Sequence, residues 1–175
     1  MEELNFNVNN IVYVIDTSAF IKLEATFPPA NEVFGALWED IVELINQRQL
    51  LTIDFVEDEI NSYEGNEIYL KNWIKMHKKN LIIETDIETF NQAKPIINQE
   101  YSTGFFDAKK QALGKEEADP YLIAFCKIHN YTLVTNENET KPNKIPAVAK
   151  KNGVTCINIY DFLKQRGMRM QRTKK

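Results

Sequence analysis

Three short polar clusters hold the side chains of this sequence best suited to chemistry: Asp16–Thr17–Ser18, the acidic run Glu57–Asp58–Glu59, and Thr135–Asn136–Glu137. Hydrolysing a phosphodiester requires charge neutralisation on the phosphate oxygens and a water activated for in-line attack. A Mg²⁺ or Mn²⁺ ion held by two to four carboxylates supplies both. Crowded carboxylates repel one another without a cation, so acids that converge in the fold are themselves a metal prediction. Other chemistries are less well provided for. Cys126 and Cys156, the only cysteines, lie inside apolar segments and read as buried free thiols rather than zinc ligands. His77 and His129 have no partner at ligand spacing, and His129 is expected near a helix C-terminus, where the macrodipole favours positive charge.

These clusters need a scaffold. At 175 residues the chain can bury one well-packed core, whereas two domains would each be cramped. With 43% hydrophobic and 26% charged residues it has an ordinary globular composition. The apolar runs, Ile11 to Ile15 among them, are far short of the roughly 20 residues of a membrane span. The start, MEELNFNVNN, carries acids and amides where a secretory signal carries lysines, so a cytoplasmic protein is expected. A net charge of −4 argues against coating nucleic acid by bulk electrostatics. Lys164, Arg166, Arg169, Arg172, Lys174 and Lys175 are nonetheless unbroken by any acid. A single domain over 1–166 is expected, with a basic tail over 167–175 that is either solvated or a phosphate-contacting arm.

Residues 10–16 (NIVYVID) form an apolar, β-branched run ending in a carboxylate, which suits a parallel strand covered on both faces. Thr17 and Ser18 offer cap hydroxyls to a short helix through Leu23, stopped by Pro28 and Pro29. Asn31 to Gln49 has helical apolar spacing, and LLTI at 50–53 is a second strand. Helices over Val56–Tyr63 and Asn66–His77, a brief strand over Leu81–Ile83 and a helix over Ile87–Gln99 follow. The stretch YSTGFFDAKKQALGKEE resists assignment, its two glycines suggesting loop or lid. Pro120 to Asn130 reads as a buried helix, YTLVT at 131–135 and VTCINI at 154–159 as strands, and Tyr160–Gln165 as a closing helix. Strands alternating with helices predict a three-layer α/β/α domain around a mainly parallel sheet. In such sheets the ligand site lies beyond the carboxyl ends of the strands, where all three polar clusters would fall.

An apolar strand ending in Asp-Thr-Ser, an acid on the next short helix, an Asp opening a buried helix (ADPYLIAFC) and a strand ending in Thr-x-acid (LVTNE) resemble the PIN domain of bacterial toxin-type ribonucleases. The later KIPAVAKKNGVTCINIYDFL is similar to the closing segment of a PIN-like bacterial family long labelled a domain of unknown function. The resemblance spans residues 11–166 and rests on four motifs in order rather than on one specific motif. It implies that Asp16 is a metal ligand with Ser18 as its hydroxyl neighbour; the plainer alternative for Asp16 is a strand-end N-cap. For the second acid, Val56, Ile60 and Tyr63 share a helix face, with Glu59 about 60° from it, Glu57 about 90° away on the other flank and Asp58 toward solvent. Glu59 is therefore favoured, and the family pattern selects it too. Asp119 would be a third ligand, but Asp before Pro before an apolar helix is also a ready N-cap. Glu116 and Glu117 are near enough to replace it, although a solvated acidic loop is their plainer reading.

Glu137 stands where PIN domains commonly carry Asp, which leaves open whether it binds metal directly or through water. Thr135 either hydrogen-bonds the carboxylates or simply ends its strand. Lys141, Lys144, Lys150, Lys151 and the tail's Arg169 could meet a phosphate backbone or form a solvated face. Tyr101, Phe105 and Phe106 could stack on unpaired bases or belong to core or dimer contacts. The resemblance implies a Mg²⁺- or Mn²⁺-dependent endoribonuclease using Asp16, Glu59, Asp119 and Glu137 with a metal-activated water. It further implies products with 5′-phosphate and 3′-hydroxyl ends, a cognate antitoxin and a homodimer. Two rivals stand beside it: a PIN-like fold kept as a non-catalytic interaction module, and a phosphatase- or receiver-like domain that phosphorylates Asp16. Against the second, Ser18 stands where haloacid-type phosphatases have their second Asp.

Overall fold

The computed structural model describes residues 11–63 and 68–168. Its centre is a five-stranded parallel sheet made of β1 (Tyr13–Ile15), β2 (Leu50–Ile53), β3 (Ile82–Ile83), β4 (Thr132–Thr135) and β5 (Cys156–Asn158). The spatial order is β3-β2-β1-β4-β5, so the chain moves outward from β1 on one side and then returns to its other side. The strand order thus reverses between β1 and β4, opening the crevice in which such sheets place their sites. β1 and most of β2 and β4 are fully buried, as their continuous apolar runs require.

Among the described residues nine α-helices connect or follow the strands: α1 (Thr17–Thr26), α2 (Gly35–Asn46), α3 (Asp54–Ser62), α4 (Ile68–Leu81), α5 (Ile87–Glu100), α6 (Ala108–Ala112), α7 (Asp119–His129), α8 (Ile145–Lys151) and α9 (Ile159–Gln165). α1 packs against α4 and α9, and α2 against α4; α7 packs against α5 and α8. Trp73 on α4 meets Phe20 of α1 and Trp38 of α2 edge-on, locking the first group. In the second, Tyr121 of α7 stacks on Phe55 of α3 with centroids 4.3 Å apart, and Phe90 of α5 meets both rings. Such aromatic pairs add directional packing to the area they bury.

Several element bounds differ from expectation. α1 runs to Thr26 rather than Leu23, because nothing before the two prolines stops it. The expected Asn31–Gln49 helix breaks into a 3-10 turn, Glu32–Phe34, capped by the Asn31 side chain, followed by α2. α4 continues past His77 to Leu81, and α5 runs one residue beyond Gln99. α8 was not foreseen; with Lys144 as its N-cap residue and a proline in its first turn it is only seven residues long. It takes up Val148 and Ala149 of the segment before β5 and buries them. Ile159 starts α9 instead of ending β5, with Asn158 as the N-cap. Within the unassigned 101–117 stretch, α6 is capped by Asp107 and followed by Gly114 at φ +64°. Among the described residues no helix is long and apolar enough to cross a membrane.

Candidate active site

Asp16 is the residue that leaves β1. Ile15 pairs with Val134 in register, and the Asp16 N–H donates to the Val134 carbonyl at 3.0 Å, so Asp16 emerges beside the end of β4. Its carboxylate caps α1 by accepting from the Ala19 N–H at 2.7 Å. It also accepts from the hydroxyls of Ser18, at 3.0 and 2.9 Å, and Thr135, at 2.6 Å. The cap reading of Asp16 therefore holds, at the point where β1 ends beside β4. Thr135 both ends its strand and bonds the carboxylate. The capping acceptor is the Asp16 carboxylate, not the expected hydroxyls of Thr17 and Ser18. Ser18 instead links Asp16 to the β4 loop by accepting from the Asn136 N–H at 3.0 Å.

Glu59 lies on the half-buried flank of α3, beside the buried Val56 and Ile60. It accepts from the Thr17 hydroxyl at 2.6 Å and from the Ala118 N–H at 3.3 Å, which ties α3 to the starts of α1 and α7. Glu57 points away and pairs with Lys78 at 2.8 Å, and Asp58 is exposed, as the helix-face argument expects. Tyr63 departs from that argument: it is 43% exposed, because α3 ends at Ser62 and Tyr63 is already extended.

Asp119 is not a side-chain cap. Ala118 holds the N-cap position in helical geometry without a capping hydrogen bond, and Asp119 is the first helical residue with Pro120 behind it. Among the described residues no hydrogen bond restrains its carboxylate. Burial raises its pKa well above the usual carboxylate range, and the charges of Glu137, Glu59, Asp16 and Glu117 raise it further. Asp16 is 3% exposed, and burial lifts its pKa to about 7; its three hydrogen-bond donors oppose that rise, while Glu137 adds to it. Glu137, from the loop after β4, accepts from the Ile145 N–H at 2.8 Å and pairs with Lys144 at 3.2 Å.

Lys110 was missed by sequence reasoning. Carried by α6, its ammonium stands 3.1 Å from Glu59 and 3.7 Å from Glu117. Burial alone would lower its pKa, but the neighbouring Glu59, Glu117 and Asp119 charges outweigh it and hold the group protonated. The Asp107 cap and the Gly114 stop were the available signals that a helix would present it. Glu117, expected to be solvated, is buried and accepts from the Asp107 N–H at 2.7 Å; burial raises its pKa. Glu116 is exposed, as expected. Lys151 serves a different purpose from phosphate contact, pairing at 2.9 Å with the fully buried Glu100. Lys141 and Lys150 are exposed, and Arg169 with the rest of the basic tail lies outside the described residues. Of the two thiols, Cys126 is buried and Cys156 half-buried, and both are free.

Among the described residues, no three His, Cys, Asp or Glu side chains stand at the spacing of a finished metal cage. Glu59 and Glu137 are drawn instead to Lys110 and Lys144. The donor chemistry still fits a hard divalent cation, since carboxylate oxygens are its preferred ligands. The repulsion that raises Asp119 is of the kind a cation relieves.

A parallel sheet flanked by helices, with acidic residues at the strand ends around the switch point, is a PIN-like α/β/α fold. The chain belongs to the family described as "Domain of unknown function (DUF4411)", whose model matches residues 13–170. No curated protein matches the sequence. Among solved structures it is similar to PAE2754 from Pyrobaculum aerophilum, with a TM-score of 0.50 and 11% identity over 91% of this chain and 98% of that one. It is also similar to FitAB bound to the IR36 DNA fragment, with a TM-score of 0.50 and 18% identity over 85% of this chain and 96% of that one. At these identities the likeness concerns the fold.

Proposed function

We propose that this protein is a divalent-metal-dependent endoribonuclease and the toxin of a toxin–antitoxin pair. The observation that carries the reading is the gathering of four acids from separate elements, Asp16 after β1, Glu59 on α3, Asp119 at the start of α7 and Glu137 after β4, where burial first and the other three charges next raise the Asp119 pKa. Structural hydrogen bonds account for Asp16, Glu59 and Glu137, but none among the described residues holds the Asp119 carboxylate. Asp16, Glu59, Asp119 and Glu137 would hold Mg²⁺ or Mn²⁺. A bound ion would supply charge neutralisation at the phosphate and a more acidic water. Thr135 and Ser18 orient Asp16 with hydroxyl protons, while Thr17 and the Ala118 N–H orient Glu59. Lys110, 3.1 Å from Glu59, would supply a positive charge next to these acids. The antitoxin, the homodimer and the 5′-phosphate and 3′-hydroxyl products follow from the PIN resemblance. The cytoplasm is the compartment proposed with this reading.

The deciding experiment incubates purified protein with structured and unstructured RNA, in Mn²⁺ or in excess EDTA. Cleavage in Mn²⁺ that stops in EDTA and leaves 5′-phosphate ends is expected. Cleavage that persists in EDTA, or that leaves 2′,3′-cyclic phosphates, sinks the mechanism. Because FitAB was solved on a DNA fragment, single-stranded DNA of the same sequence is the second substrate to try. An inert protein that binds no Mn²⁺ would favour the interaction-module reading.

A further inference from the structure

One surface cavity of about 210 Å³ is lined by Ile97, Tyr101, Phe106, Pro120 and Tyr121. We propose that it is a nucleobase-binding subsite, which takes one unpaired base of the RNA while the adjoining phosphodiester lies at the acidic crevice. The inference rests on the nuclease reading above and adds the recognition element that reading lacks.

Four observations carry it. The lining is chiefly aromatic and apolar, with Gln111, Lys115 and Glu116 supplying polar groups, the usual make-up of a site for a flat ring with hydrogen-bonding edges. Its volume is below the roughly 300–1,000 Å³ of drug-sized pockets, enough for a single base rather than a stretch of chain. It adjoins the acidic crevice: Glu117 and Pro120 line the cavity and bracket Asp119, and Glu117 shares Lys110 with Glu59. A base seated there has its backbone beside the acids. Finally, the walls are held in place. The Tyr121 ring is fixed between Phe55 and Phe90, and its hydroxyl donates to Glu116 at 3.2 Å. Phe106 is braced edge-on by the buried Phe105, while Tyr101, 69% exposed at the lip, is free to lie over an incoming ring. Preformed stacking surfaces are sequence-tolerant, since every base has a π-face.

The test measures binding rather than cleavage, with a fluorescent single-stranded RNA oligonucleotide and the Asp16→Asn protein in Mn²⁺. A single abasic position is moved along the oligonucleotide. One position is expected to cost roughly 5- to 150-fold in affinity, the range for loss of one stacked base. Adding Phe106→Ala should cost a similar factor with intact RNA and erase the sensitivity to that abasic position. Tyr101→Ala, at a position 69% exposed, should reproduce part of the loss and guards against a Phe106→Ala protein that melts early. RNA that binds and is cleaved by wild type, yet shows a flat abasic scan or unchanged abasic sensitivity in both variants, overturns the subsite and leaves the nuclease reading standing. The cavity would then suit an apolar side chain of a protein partner. No RNA binding at all overturns both.

Discussion

Asp16 carries two demands that conflict in the metal-free protein. It caps α1 and anchors Thr135, but it is 3% exposed with a pKa of about 7. A carboxyl whose folded pKa lies above its unfolded value of 3.8 binds its proton more tightly when folded. Stability is then full below about pH 4 and falls as pH rises toward 7, by at most on the order of 4 kcal/mol at about 1.36 kcal/mol per unit. Asp16→Asn removes the titration and keeps a good N-cap. Urea unfolding of the two proteins in EDTA between pH 4 and 8 should show the variant gaining on wild type as pH rises, with cleavage lost. Equal pH slopes, or an active variant, would mean that Asp16 is neither buried as described nor a ligand. For Asp119 the capping alternative made Ala the damaging substitution, at about 0.5–2 kcal/mol. With Ala118 at the cap and no hydrogen bond on Asp119, the Asn, Ser and Ala variants should all melt within a few degrees of wild type or above it. All three should lose cleavage. An active Asp119→Ser would move the role to Glu117.

Elements set which acids face the crevice. The turn of α3 separates Glu59 from Glu57 by two residues and gives them different partners, Thr17 and Lys110 for the first, Lys78 for the second. Glu59→Gln should therefore abolish cleavage, while Glu57→Gln leaves rate and melting temperature nearly unchanged; the reverse order of rates would refute the helix-face assignment. A second element contact tests the scaffold apart from the chemistry. Glu100, at the end of α5, is fully buried and is held by Lys151 of α8 and the Thr103 hydroxyl. Lys151→Met leaves that carboxylate without its counter-charge. The cost should be roughly 1–3 kcal/mol, less than the ~3–5 of a fully buried pair because Lys151 is partly solvated. Glu100→Gln in the same protein should restore most of it. A Lys151→Met protein as stable as wild type would place Lys151 in solvent.

For the whole molecule, the strand order gathers acids from distant parts of the chain, Asp16 and Glu137 being separated by most of the fold. On the proposed reading, an ion that binds only the folded protein stabilises it by mass action, about 2.7 kcal/mol at one hundred times its dissociation constant. Calorimetry with added Mn²⁺ should show a melting temperature that climbs with concentration in wild type and hardly moves in Asp16→Asn. Identical shifts in both proteins would point to binding elsewhere. Ca²⁺ should stabilise less if small, octahedral geometry matters.

Much of this architecture was legible in the sequence because it depends on local pattern. Continuous apolar runs marked β1, β2 and β4, and a nearly uniform apolar stretch marked α7 as a buried helix. Strand–helix alternation predicted the parallel sheet, and with it the edge on which Asp16, Glu59 and Thr135 lie. The periodicity of α3 placed Glu59 and Glu57 on different flanks, and the two acids do take different partners. What stayed hidden depends on contacts between distant residues. α8 is too short to have a period of its own, and its place is decided by what Val148 and Ala149 bury against. Asp119 followed by proline looks like a cap from either side, and only the helical backbone of Ala118 separates the readings. Lys110 lies 51 residues from Glu59 in the chain, and Lys151 the same distance from Glu100. Charge pairing at that range leaves no local trace, because the side chains are matched by the packing of helices rather than by their own neighbours.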